Sequence, residues 1–257
     1  MKDLTFDANG PVNDRRWMIV DEQNQFMTLR TVSKLAEIQT SVQGPFLHLY
    51  AGSNKILVNT TEECELVEDV TIWGETFKAG IENKSINEAL SDFLTKTVKL
   101  VRYQSESFRD LGASATEAVK QTMFSDARPL LMTNTASLEE LNGRLLSQGK
   151  APSQMERFRS NMIIEGLSAF AEDEVARVTI KNSKGDVVLA NPKLCGRCPV
   201  ITQDVETGKT VSKETLATLA GYRRKEGSNK IPFGVYFVPE ILGTVSVGDE
   251  VFVETNR

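Results

Sequence analysis

Histidine is almost absent from this chain: His48 is the only one among 257 residues, and cysteine occurs only at Cys64, Cys195 and Cys198. A structural zinc site takes four Cys or His ligands. No second Cys-x-x-Cys accompanies Cys195 and Cys198, and Cys64 and His48 lie far upstream. A zinc site is therefore a poor reading, and a histidine-rich metal site is excluded. His48 lies in Pro45-Phe46-Leu47-His48-Leu49-Tyr50, an apolar run that reads as a strand histidine rather than a catalytic base. An odd cysteine count argues against a secreted disulfide scaffold. No apolar run approaches the ~18 residues of a membrane-spanning helix, and Met1 to Asp7 carry no apolar signal core. Positive charge is not in excess either. Thirty basic against thirty-five acidic residues give −5, so neither nucleic acid nor membrane is an expected partner, although a local basic pocket for a small anion is compatible. There are no internal repeats and no low-complexity segments. With so little histidine, an enzyme built on this chain would leave the hard chemistry to a cofactor.

What is there is an ordinary soluble composition, 40% hydrophobic and 25% charged, long enough for one large domain or two modest ones. The expected location is cytoplasmic. Its most informative stretch is Leu194-Cys195-Gly196-Arg197-Cys198-Pro199-Val200-Ile201-Thr202. The β-branched run after Pro199, ending in Glu206-Thr207-Gly208, reads as strand and turn with the cysteines at the strand's start. That disfavours a thioredoxin-type pair, which sits at a helix N-terminus. If the segment is a strand, the odd offset from Cys195 to Cys198 sends the two thiols to opposite faces unless it turns sharply at Gly196. Cys64, between Glu62, Glu63 and Glu65, is expected to have a raised pKa because carboxylates disfavour its thiolate.

Elsewhere the pattern is strand-rich. Trp17–Val20 and Phe26–Leu29 read as two strands around a polar turn. Phe46–Tyr50, Lys55–Asn59 and Glu68–Trp73 continue the series. Ser85–Leu94 reads as a helix opened by a Ser85/Glu88 capping box. Lys99–Tyr103 is a further strand, and polar Gln104–Ala118 is a domain boundary or flexible loop. Pro129–Met132 is a strand leading through capping residues into a helix at Leu138–Asn142. A helix from about Lys213 to Tyr222 and strands at Val235–Val238 and Glu250–Glu254 complete the chain. The fold class is mixed and mainly β, of barrel type with a few helices. A β-barrel-like domain over residues 1–105 is expected to pack on a second barrel domain over 106–257.

Cys195-Gly196-Arg197-Cys198 with Thr202, Asp204 and Thr207-Gly208, Phe158-Arg159-Ser160-Asn161, Pro129-Leu130-Leu131 with Ala136-Ser137-Leu138, and Phe233-Gly234 resemble, in this order, the MOSC family, named for the C-terminal part of molybdenum cofactor sulfurase. Upstream, Asp14-Arg15-Arg16-Trp17, Thr28-Leu29-Arg30, Trp73-Gly74 and Leu90–Leu94 resemble the β-barrel domain that precedes MOSC in the amidoxime-reducing branch. The resemblance implies a molybdenum cofactor, a pterin dithiolene (molybdopterin) carrying molybdenum and a phosphate tail. It places a thiolate ligand on Cys198, the catalytic position. It places cofactor contacts at Arg159, Asn161, Arg15, Arg197 and Arg30, with Asp126 and Thr133 at the pocket wall. A metal held by two sulfurs accepts a further thiolate readily, and phosphate and pterin call for cationic and amide donors. With such positions in both halves, one shared cleft is expected.

Three departures accompany the resemblance. The Tyr-Pro-Val-Lys-Ser-like strand that begins this branch is not present ahead of Met1-Lys2-Asp3-Leu4, so either the start is misassigned or one barrel strand and part of the cofactor shell are lacking. Glu172-Asp173-Glu174 is followed by Val175 where tryptophan is usual. No ferredoxin-like domain or further cysteine follows Thr255-Asn256-Arg257. The implied activity is reduction of N-hydroxylated or N-oxygenated small molecules, with electrons from a separate partner, a flavin reductase or a small iron-sulfur or haem protein. The alternatives are a persulfide or molybdenum-cofactor carrier without redox turnover, and a non-catalytic barrel.

Overall fold

The computed structural model describes residues 2–224 and 227–255. The chain runs β1 (Asp3–Asp7), β2 (Gly10–Pro11), β3 (Trp17–Val20), β4 (Ile38–Gln43), β5 (Phe46–Ala51), β6 (Asn54–Asn59), β7 (Leu66–Ile72), β8 (Glu75–Ile81), α1 (Lys84–Leu94) and β9 (Lys99–Arg102). It continues β10 (Leu130–Asn134), α2 (Thr135–Ser147), β11 (Met162–Ile164), β12 (Val175–Lys181), β13 (Val187–Gly196), α3 (Glu214–Arg223), β14 (Pro232–Ile241), β15 (Thr244–Ser246) and β16 (Glu250–Thr255). Among the described residues the protein is thus mainly β with three α-helices, as expected. It divides into two compact units. One takes the chain up to Asp14, Asp110–Gln203 and the chain from Thr210; the other takes Arg15–Arg109 and Asp204–Lys209.

The first unit holds a six-stranded sheet, β11-β10-β14-β13-β12-β16, and a three-stranded sheet, β15-β1-β2. All pairings in the larger sheet are antiparallel except β10 with β11. Every second residue of these strands, Leu130, Met132, Val178, Ile180, Leu189, Val235 and Phe237, enters one core, and β10 is buried on both faces. At the end of β10, the Asn134 side chain accepts from the Ala136 amide (3.2 Å) and caps α2. Its amide donates to Glu172 Oε2 at 3.2 Å, and Ser137 Oγ donates to Glu172 Oε1 at 2.6 Å. Glu172 is therefore a fully buried carboxylate with two donors, and Val175, where tryptophan is usual, is fully buried without it.

The second unit holds a four-stranded sheet, β3-β9-β8-β7, and a three-stranded sheet, β4-β5-β6. Ile86, Leu90 and Leu94, one helical stripe of α1, pack with Leu47, Leu49, Val58 and Leu100. His48 is a buried β5 residue beside Tyr50, as its apolar run implies. Two local expectations are corrected. The cap of α1 is Asn83, whose side chain accepts from Ile86 N at 3.2 Å and from Ser85 Oγ at 2.8 Å. Asparagine caps as well as serine and stands two residues before Ser85, where it takes the Ile86 amide, so the capping box does not form. Phe26–Leu29 is not a strand. After the Asn24 turn the segment makes one bond to each flanking strand, Phe26 N to Thr71 O and Met27 N to Ile19 O, so no ladder forms.

Candidate functional site

The Cys-Gly-Arg-Cys segment lies in the first unit, and it does not begin a strand. Cys195 is the penultimate residue of β13, Cys198 caps a 3-10 turn over Pro199–Thr202, and the chain bends between them. Pro199 explains the correction. Its ring fixes φ and removes a ladder amide, so the β-branched run after it turns instead of pairing. The opposite-face expectation falls with the strand. Cys195 is buried and Cys198 is half-exposed; all three cysteines are free.

Arg197 fixes this bend. Its amide donates to Ile231 O (2.8 Å), its Nε to Phe233 O (2.7 Å) and one terminal nitrogen to Phe158 O (2.9 Å). The other terminal nitrogen is buried without a hydrogen-bond partner. The guanidinium lies over the rings of Phe158 and Phe233, 5.3 and 5.8 Å from their centroids, a cation–π arrangement. The two rings stack at 4.0 Å and are fully buried. Burying each contributes on the order of 1.5–3 kcal/mol, so this is a rigid floor. Phe158 ends the 3-10 turn Met155–Phe158, and the next residue, Arg159, is exposed and adopts left-handed φ 54°. A non-glycine residue held there carries strain of order 1–3 kcal/mol, a placement common at binding sites.

Asn161 and Thr133 lie on this frame with their side chains engaged. Asn161 Oδ1 accepts from Leu131 N and its amide donates to Asp14 Oδ2, both at 2.9 Å. Thr133, fully buried, donates to Ser160 Oγ at 2.8 Å. Asp126 is exposed and close enough to Cys195 and Tyr236 to disfavour the ionised form of both. Burial pushes the Cys195 thiol up, with the Arg197 charge and a hydrogen bond from Tyr236 opposing it. Burial likewise raises Tyr236, followed by the effect of Cys195, so the phenol stays a neutral donor to that sulfur. Tyr236 was missed in the sequence. The one signal for it is a polar-tipped ring in the aliphatic run Val235–Val238, two residues past Gly234 on the same strand face.

Arg15 and Arg30 belong to the second unit. Arg15 is half-buried with left-handed φ 50°, and Arg30 is exposed over the Trp73 ring, 4.6 Å from its centroid. Asp204–Lys209 also belongs to this unit. There Asp204 Oδ1 accepts from Thr207 N and Oγ1, both at 2.9 Å, and a Cβ on Gly208, at φ +64°, would stand 2.2 Å from Ser33 O. Aspartate, threonine and glycine in this motif therefore fold a turn.

Cys64 is in the second unit as well, and its pKa is pushed up to about 11. Burial is the first cause, and Glu82, not the flanking glutamates, is the leading charge.

The donor set of the first unit, the half-exposed thiol of Cys198 and the exposed Arg159, linked through Arg197 and Phe158, fits a group that offers a soft metal and an anionic tail. Comparison with known proteins points the same way. The MOSC domain model matches residues 119–252, and the MOSC N-terminal beta barrel domain model matches residues 1–97. Mitochondrial amidoxime-reducing component 1 of Homo sapiens is 31% identical over 95% of this chain and 74% of its own length. The Mus musculus protein of the same name is 32% identical over 95% and 73%. Molybdenum cofactor sulfurase of Oryza sativa subsp. japonica is 27% identical over 91% of this chain and 30% of its own length.

Proposed function

The chain belongs to the MOSC family, in the amidoxime-reducing branch with an N-terminal MOSC β-barrel domain, and on that premise we propose that it reduces N-hydroxylated or N-oxygenated small molecules with electrons from a separate redox protein. It is a molybdenum-dependent oxidoreductase that binds the molybdenum cofactor. For an amidoxime the balance is simple: the N–O bond breaks, two electrons and two protons enter, and an amidine and water leave. The cofactor, when bound, supplies the two-electron chemistry.

The residues of this chain have distinct tasks in the proposal. Cys198 provides the thiolate ligand. Arg159 provides a charge-assisted contact to phosphate or pterin oxygens, worth about 1.5–3 kcal/mol. Asp126 lies at the pocket wall by motif position. Asn161 and Thr133 hold the segment that carries Arg159 through the bonds described above. Arg15 and Arg30 are further anion contacts by motif position. The electron donor is a flavin reductase or a small iron-sulfur or haem protein, and the location is cytoplasmic. No helix among the described residues is long and apolar enough to cross a membrane.

The observation that carries the reading is the half-exposed Cys198 capping the turn that follows β13, joined through Arg197 to the turn that presents Arg159. Protein from a cofactor-competent host should contain molybdenum and pterin, and should reduce a model amidoxime given an artificial reductant. Cys198→Ser should abolish reduction while Cys64→Ser leaves it unchanged. A protein without molybdenum, carrying a labile one-sulfur adduct on a cysteine by mass spectrometry, would establish the carrier reading instead.

A further inference from the structure

We infer that Arg197 is a positioning residue that sets the spacing between Cys198 and Arg159, not a contact to the cofactor. The inference rests on the proposed roles of those two residues. It begins from where the donors of Arg197 go. The backbone amide and two side-chain nitrogens are spent on the carbonyls of Ile231, Phe233 and Phe158. Phe158 immediately precedes Arg159, and Arg197 immediately precedes Cys198. One planar guanidinium therefore fixes the residue before the proposed anion contact to the residue before the proposed ligand. Phe158 and Phe233, stacked beneath it, leave it one seat.

The remaining terminal nitrogen does not reach outward. It has no solvent exposure, and a methyl placed on Gly234 would stand 3.3 Å from it while also meeting Met132 O at 2.7 Å. A ligand arriving from solvent cannot touch an atom enclosed in that way. A buried donor without an acceptor is unfavourable, so this side chain is not explained by stability alone. Geometry explains it. Two donors held at a fixed angle in one plane reach two carbonyls at once, which a lysine, a flexible point charge, cannot do.

The role separates from a charge role by rescue. The full chain is purified from a cofactor-competent host as wild type, Arg197→Ala, Arg197→Lys, Arg159→Ala and Arg159→Lys. Molybdenum and pterin retained after desalting are measured. In metal-free preparations the alkylation rate of Cys198 by iodoacetamide is followed by peptide mass mapping. Arg159→Lys should recover part of the roughly tenfold or greater loss of retention expected for Arg159→Ala, because charge is what that site supplies. Arg197→Lys should lose as much as Arg197→Ala. Both Arg197 variants should change the Cys198 alkylation rate several-fold in metal-free protein, and the Arg159 variants should leave it alone. Retention restored by Arg197→Lys would overturn the inference, as would an unchanged Cys198 rate in the Arg197 variants. If Arg197→Lys does not fold, Arg197→Gln, which keeps an amide donor on most of the stem, takes its place under the same criteria. If wild type itself retains no molybdenum, the proposed function falls, and the alkylation rates still decide whether Arg197 positions Cys198.

Discussion

Each unit of this protein sets a cysteine near an arginine and a carboxylate, and the two neighbourhoods behave oppositely. In the second unit Arg102 and Glu82 form a buried ion pair, 2% and 6% exposed. Glu82 Oε1 also accepts from Arg102 Nε at 2.7 Å and from Trp17 Nε1 at 3.0 Å. Arg102 donates besides to the carbonyls of Asn59 and Glu62, and Gln104 ties down both backbone groups of Cys64. Charge, thiol and amide are all answered within the unit. In the first unit Arg197 leaves one donor unanswered, Arg159 is held in a strained backbone, and Cys198 stands half-exposed. A closed network makes a fold, whereas an exposed arginine held in a strained backbone is where a ligand belongs.

The largest effect expected from this contrast is in the closed network. Arg102→Ala would leave Glu82 buried without its cation, and breaking a buried pair from one side costs about 3–5 kcal/mol. Urea unfolding should show that loss. A change below about 1 kcal/mol would mean that water enters the site freely and that the network is not closed.

A second effect, about a hundredfold in rate, lies in the thiols. With Cys64 raised from 9.0 to about 11, its thiolate fraction at pH 8 falls by about two powers of ten relative to an unshifted thiol. The sign follows from the burial that causes it. The proton is held more tightly in the folded state, so alkylation of Cys64 should climb about tenfold per pH unit from pH 8 to 10 and level off only near pH 11. In metal-free protein Cys198 should react ahead of both Cys64 and the buried Cys195. Peptide mapping of a short iodoacetamide pulse at pH 8 checks the order, and Cys64 labelled first would remove the distinction between the two neighbourhoods.

The local half of this contrast was legible in the sequence and the long-range half was not. The strand that holds His48, the strands around it and the helix near Lys213–Tyr222 were legible, because each depends on residues a few positions apart. The raised Cys64 pKa was right in direction and incomplete in cause. Glu62, Glu63 and Glu65 are visible beside it, but Glu82 and the burial come from strands brought together by pairing. The turn at Pro199–Thr202 failed for a different reason, since β-branching outvoted the one proline that controls the backbone. Nothing in the sequence could have shown that Arg197 reaches Phe158 and Phe233, 39 and 36 positions away. Nor could it have paired Tyr236 with Cys195. The family motif marked these residues without saying which of them touches which.

The smallest effect tests whether the closed network depends on the helix next to it. Glu82 lies between β8 and α1, and Asn83, the α1 cap, follows it directly. Asn87 donates to Glu82 O and accepts from Leu100 N, both at 2.8 Å, so α1 is tied to β9 independently of the cap. Glu82 itself is fixed by the backbone bond from its own amide to Leu100 O (3.0 Å) and by its three side-chain donors. Asn83→Ala should therefore cost about 1 kcal/mol, the usual value for a lost cap, and Ser85→Ala much less, because Asn83 rather than Ser85 receives the Ile86 amide. The Cys64 alkylation profile should stay where it is in both variants. If Asn83→Ala instead moves that profile toward lower pH, the carboxylate beside Cys64 has shifted with the helix. The second unit would then hold its charges by the placement of α1 and not by its strands.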